Sequence, residues 1–200
     1  GITGYSYVLD QNSGTIPDDT SEGTGISRNY TDVTDGTWYF HVKARNGSGL
    51  WGGTGHYRIN IDASGPIAPT VSSPTHPDQN QWYNNNDPSF SWSATDISGI
   101  TGYSYVLDQN SGTIPDDTSE GTGISRNYTD VTDGTWYFHV KARNGSGLWG
   151  GTGHYRINID ASGPIAPTVS SPTHPDQNQW YNNNDPSFSW SATDISGITG

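Results

Sequence analysis

Three kinds of side chain in this sequence have the chemistry to build a site: six histidines, a recurring set of aspartates, and tryptophans set in polar loops. The histidines are His41, His56, His76, His139, His154 and His174. His139 and His154 are expected to face outward on neighbouring strands. An imidazole pair there suits a transition metal, and plain exposed polar residues fit the same positions. Serine, histidine and aspartate are all present, but no nucleophile elbow accompanies a serine, so no catalytic residue and no enzyme is expected. The aspartates form a pattern: Asp32, Asp35, Asp62 and Asp96 return as Asp130, Asp133, Asp160 and Asp194. Carboxylates gathered at a joint match calcium, which takes roughly six to eight oxygen ligands. Asp-Gly and Asp-Ile-Ser-Gly are also ordinary turn chemistry. Trp149, the Trp82-Tyr83 pair and its copy Trp180-Tyr181 flank Gly- or Asn-rich loops. Such rings stack on sugars or fold back as lids over a core. Asn29, Asn46, Asn127 and Asn144 each open a glycosylation sequon.

The elements that position these groups are repeated. Gly1 to Tyr7 recurs as Gly99 to Tyr105, a period of 98 that holds without mismatch until a third copy opens at Gly197. That exceeds the roughly 20–50 residues of solenoid repeats and suits one small domain per repeat. The natural boundary is Ile61-Asp62-Ala63-Ser64-Gly65-Pro66-Ile67-Ala68-Pro69, where proline stiffens the joint. On this phasing residues 66–163 are a complete domain, 1–65 the back two-thirds of its predecessor, and 164–200 the front third of its successor. The chain then reads as a window on a longer array.

Composition narrows the field. With 8 basic and 20 acidic residues the formal charge is −12, which argues against a nucleic-acid partner. The absence of cysteine removes disulfides and thiolate metal sites. No run approaches the ~18 apolar residues of a membrane span, and no signal peptide is visible. Eight Trp, 12 Tyr and 4 Phe supply enough large rings for small folded cores.

Within the complete repeat, Pro88-Ser89-Phe90-Ser91-Trp92-Ser93-Ala94 alternates apolar with small polar residues, the mark of a half-buried strand. Strands are also predicted near 70–73 and over 100–108, 124–131, 136–143 and 154–160. A short edge strand and turn is predicted over 112–118, where Pro115 is tolerated. In the 136–143 strand Trp136, Phe138, Val140 and Ala142 alternate against Tyr137, His139, Lys141 and Arg143. Seven short strands without a helical pattern predict an all-β sandwich.

The repeat resembles fibronectin type III and related bacterial Ig-like domains. The resemblance is carried by Phe90-Ser91-Trp92, by Val131-Thr132-Asp133-Gly134-Thr135-Trp136-Tyr137 and by Val140-Lys141-Ala142-Arg143-Asn144-Gly145-Ser146-Gly147, and it spans the whole repeat. The family's corner tyrosine falls at Trp136 or Tyr137, and alternation puts Trp136 inside. The resemblance implies tandem seven-stranded sandwiches, beads on a string, with no catalysis. The expected role is a structural segment of a prokaryotic extracellular filament, stalk or sheath-like surface protein, gaining length by stacking identical repeats as a homopolymer. Head-to-tail stacking brings Asp32, Asp35 and Asp62 toward Asp96 as a junction calcium site. The competing expectation is a multivalent adhesin or carbohydrate-binding repeat with surface glycans as partners.

Overall fold

The structure is a computed structural model that describes residues 1–198. The chain forms two compact units. The first comprises Gly1–Ile67 with Thr95–Thr101 and Arg143–Gly150; the second comprises Ala68–Ala94, Gly102–Ala142 and the residues from Gly151 onward.

In the first unit β1 (Ile2–Asp10), β2 (Gly36–Asn46) and β3 (Gly55–Ile61) make an antiparallel sheet in that order. Cross-strand pairs include Tyr7 with Val42 and Phe40 with Tyr57. The segment after β1 folds back along the sheet: Tyr5 N–H donates to Gly23 O at 2.8 Å and Glu22 N–H to Tyr5 O at 2.9 Å. Gly4 permits this approach, because a Cβ there would collide with the Ser21 hydroxyl.

The second unit holds β4 (Thr70–Ser72), β5 (Trp82–Tyr83), β6 (Ser89–Ser93), most of β7 (Ile100–Asp108), β8 (Ser125–Asn127), and most of β9 (Gly134–Asn144) and β10 (Trp149–Ile159), the start of β7, the end of β9 and the start of β10 belonging to the first. They form two sheets, β4-β6-β8 and β5-β10-β9-β7. A further antiparallel pair, β11 (Thr168–Ser170) with β12 (Ser189–Ser191), follows. Aromatic rings fill the space between the two sheets. Phe90 of β6 stacks on Phe138 of β9 at 4.4 Å and 8°, both essentially inaccessible. Trp92 lies 5.4 Å from Phe138 and 5.8 Å from Tyr103. Val140, Ala142, Ile157 and Ile159 complete the buried face.

The chain is all-β, and three local expectations change. Residues 112–118 are not a strand. Gly112 N–H donates to Asn110 Oδ1 and Thr118 N–H to Asp116 Oδ1, and these Asx bonds capture the backbone there instead of a ladder. The extra strand is β5, whose Trp82 and Tyr83 pair in parallel with Asn158 and Ile159; two residues are too few to show a period. His139 and Lys141 do not face solvent, being 0% and 6% exposed, because the segment after β7 covers that side of β9. Lys141 meets Asp117 there, and Glu120 N–H donates to Tyr103 O at 2.9 Å. Trp136 and Tyr137 are both half-buried, and Trp136 makes the corner bond, its Nε1–H donating to Thr132 O at 2.9 Å.

Phe138→Ala empties the centre of the ring stack, so the second unit should lose about 3–5 kcal/mol. Urea unfolding followed by Trp fluorescence measures this, and a loss below about 1 kcal/mol would place the core elsewhere.

Candidate functional site

The most densely bonded polar cluster lies in the first unit and centres on Asn144. This residue is 1% exposed. Its Nδ2 donates to Asp62 Oδ2 at 2.9 Å and to Ser64 O at 2.8 Å, and reaches Asp96 Oδ2 at 3.4 Å. Its Oδ1 accepts from Leu148 N–H at 2.8 Å and from the Ser146 hydroxyl at 2.9 Å. The next residue, Gly145, donates its N–H to Gly99 O at 3.0 Å and to Ser98 Oγ at 2.9 Å. Backbone meets backbone closely here. A Cβ on Gly145 would fall on Ser98 O, one on Gly65 on Trp149 O, and one on Gly150 on Pro66 O.

Around this hub the predicted aspartates divide. Asp35 accepts from Ala63 N–H at 2.7 Å and from the Ser64 hydroxyl at 2.5 Å. Asp96 accepts from Ser98 N–H at 3.0 Å and shares the Asn144 amide with Asp62. The second unit repeats the arrangement. Asp133 accepts from Ala161 N–H at 2.7 Å, and Asp194 accepts from Ser196 N–H at 3.0 Å. Asp62 Oδ1 and Asp160 Oδ1 are buried without a hydrogen-bond partner. Asp32 and Asp130 behave differently. Both are exposed residues in the left-handed region, φ 55° and 54°, that shape the turn ahead of Asp35 and Asp133. Among the described residues no group of three or more His, Asp or Glu side chains is arranged to hold a metal ion.

Of the sequon asparagines, Asn29, Asn46 and Asn127 are exposed. A glycan on Asn144 would have to displace every bond of its Nδ2. Its role as a hub gave no sequence signal apart from the acids it joins. Asn46, the identical residue one repeat earlier, uses its Oδ1 only to close its own turn, on Ser48 and Leu50 N–H.

The histidine pairs are real contacts, each joining a buried ring, His41 or His139, to an exposed one, His56 or His154. His41 Nδ1 lies 2.6 Å from His56 Nδ1, and His139 Nδ1 lies 2.6 Å from His154 Nδ1. His41 Nε2 is 2.9 Å from Asn12 O, which can only accept, so the Nε2–H donates to it. Asp10 and Asp108 stand 3.4 and 3.3 Å from the buried rings. His76 is fully buried between Thr75 Oγ1 and Asn85 O. Trp82 is half-buried in β5, whereas its copy Trp180 is 98% exposed.

No family model matches the sequence, and no curated protein matches it. Among solved structures the chain is similar to fibronectin(III)-like modules of Clostridium thermocellum CbhA. The identity is 15%, with 79% of this chain and 78% of that chain covered and a TM-score of 0.31. So remote a likeness bears on neither activity nor partners.

Titration follows from the geometry. Burial pushes His76 and His154 below the usual imidazole value of 6.5, and the neighbouring His139 adds to the shift at His154. Asp35 is lowered first by the Ser64 hydroxyl and Asp96 first by Ser98 N–H, both below 3.8. All four groups have depressed native pKa values, so the native state binds fewer protons than the unfolded chain. Their contributions are complete above pH 6.5 and 3.8 respectively and are lost as pH falls through the native values. Unfolding free energy measured in urea should therefore fall in two stages on acidification. A flat profile between about pH 7.5 and 5 would contradict the lowered values of His76 and His154.

Proposed function

We propose that this chain is a structural segment of tandem fibronectin type III-like sandwiches, phased with 66–163 as one complete domain, in an extracellular prokaryotic filament, stalk or sheath-like surface protein. The observation that supports it best is the Asn144 hub. Asp62 and Ser64 lie just ahead of the Pro66 boundary, and Asp96, Gly99 and Asn144 belong to the following repeat. One amide with its flanking glycine thus ties the end of one sequence repeat to two loops of the next. Identical repeats make every such seam identical, and a regular seam turns copy number into length. Close backbone packing at Gly65, Gly145 and Gly150 resists hinging, as a joint meant to stay extended requires.

Calcium beside the Asp62 and Asp96 carboxylates belongs to this proposal, supported by the unpaired Asp62 Oδ1. If it is bound, EDTA lowers the thermal midpoint and added calcium restores it. Indifference to both removes the ion.

Concatemers of two, four and six repeats should lengthen by a constant increment in electron micrographs. Asn144→Ala with Gly145→Val, placed at the equivalent residue of every repeat, should leave β-type circular dichroism intact while the regular increment disappears. Equal extension in that variant would remove the seam from the mechanism. A multivalent glycan-binding role predicts instead that Trp82→Ala abolishes glycan retention at unchanged melting temperature. Placement in β5 favours a loss of stability.

A further inference from the structure

Each repeat sets a pair of histidines side by side on neighbouring strands of one sheet. His41 of β2 stands opposite His56 of β3, and the same residues one repeat later, His139 and His154, lie on β9 and β10. In both pairs the rings meet edge to face, centroids 4.8 Å apart at 79°. The two Nδ1 atoms are 2.6 Å apart in each. So short a contact holds one hydrogen between two ring nitrogens aimed at a common point.

The far side of each buried ring is anchored. His41 Nε2 donates to Asn12 O at 2.9 Å and lies 3.4 Å from Asp10 Oδ1, and His139 Nε2 lies 3.3 Å from Asp108 Oδ1. A metal-ligating imidazole is held in the same way, by an acceptor behind the nitrogen that does not bind the metal. The inner rings are 0% exposed, whereas His56 and His154 are exposed, so solvent reaches each pair from its outer ring. The nearby cations of Lys43 and Lys141 are paired with Asp19 and Asp117 and leave no uncompensated positive charge on that face. The remaining histidines have no nitrogen to offer. His76 is engaged by Thr75 Oγ1 and Asn85 O, and His174 by Thr173 Oγ1 and Asn183 O.

We infer that each of these histidine pairs is a binding site for a divalent transition metal of tetragonal nitrogen preference, Cu(II) above all, ligated by the two Nδ1 atoms. The ion takes the place of the hydrogen between them, which moves through solvent to Nε2 of the outer ring. Geometry selects the metal. Two nitrogens about 2.0 Å from one ion stand about 2.8 Å apart in a square-planar site and about 3.3 Å apart in a tetrahedral one. From 2.6 Å the rings therefore part by about 0.2 Å for Cu(II) or Ni(II) and by about 0.7 Å for Zn(II). The general affinity order of nitrogen sites also puts Cu(II) first. Among the described residues no third His, Asp or Glu joins either pair in a metal-binding group, so water completes the coordination. The site lies within one repeat and does not depend on how repeats join.

Electron paramagnetic resonance tests this on the 200-residue chain, titrated with Cu(II) in a buffer that does not bind copper. The wild type should take up two equivalents, each ion coupled to two imidazole nitrogens. His56→Gln and His154→Gln should each bind one equivalent, and the double variant none at micromolar copper, with β-type circular dichroism retained. Copper should raise the thermal midpoint of the wild type and leave that of the double variant unchanged. Equimolar Zn(II) should not displace it. A wild type that binds fewer than two equivalents, or whose copper couples to one imidazole or none, overturns the inference whether or not the variants fold. A folded double variant that retains both equivalents overturns it too, and displacement by equimolar zinc overturns the choice of metal.

Discussion

A two-layer β fold requires that the apolar face of one sheet find a second sheet to bury it, and this chain displays that requirement with its own internal control. Phe138 and Phe40 are the same residue in the same sequence. Phe138 is sealed against Phe90, while Phe40 is half-buried. Tyr155 and Tyr57 differ in the same way, as do Trp92 and Trp190. Nothing local distinguishes the members of each pair. Burial in this protein is therefore a property of which layer meets which, and strand formation at Ser125–Asn127 follows the same rule.

The side of β9 turned away from that core obeys a different constraint. It is covered by a segment rich in Asp, Asn, Ser and Thr, so what it buries must be polar and paired. Lys141 finds Asp117, Ser104 reaches toward Asp116, and His139 shares a hydrogen bond with His154. The apolar layer supplies most of the cohesion. The polar cover fixes orientation, since a misplaced donor there would be left without a partner.

Much of the fold could be read from residue order because its signals are local. Period-2 alternation marked β6, β7 and β9, and Asp-Gly marked the turn ahead of β9. β5 escaped because two residues carry no period, and residues 112–118 misled because Ile and Thr favour strands while the Asx bonds of Asn110 and Asp116 do not. Alternation also implies that whatever is not core is solvent. That failed for His139 and Lys141, since a covering loop leaves no periodic trace. At the acidic cluster Asp35, Asp62 and Asp96 were legible as turn-rich carboxylates with a common destination. The asparagine that joins them was legible only as a sequon, because a hub is defined by partners 48 to 82 residues away in sequence.

Identity between repeats has a consequence that contact energy alone cannot resolve. A front layer fits the back sheet of its own repeat and that of any other copy with the same bonds and the same rings, so the two pairings differ only in entropy. Within a chain, a short connection holds the front layer at an effective concentration on the order of millimolar, and closure within the repeat wins, as in the second unit.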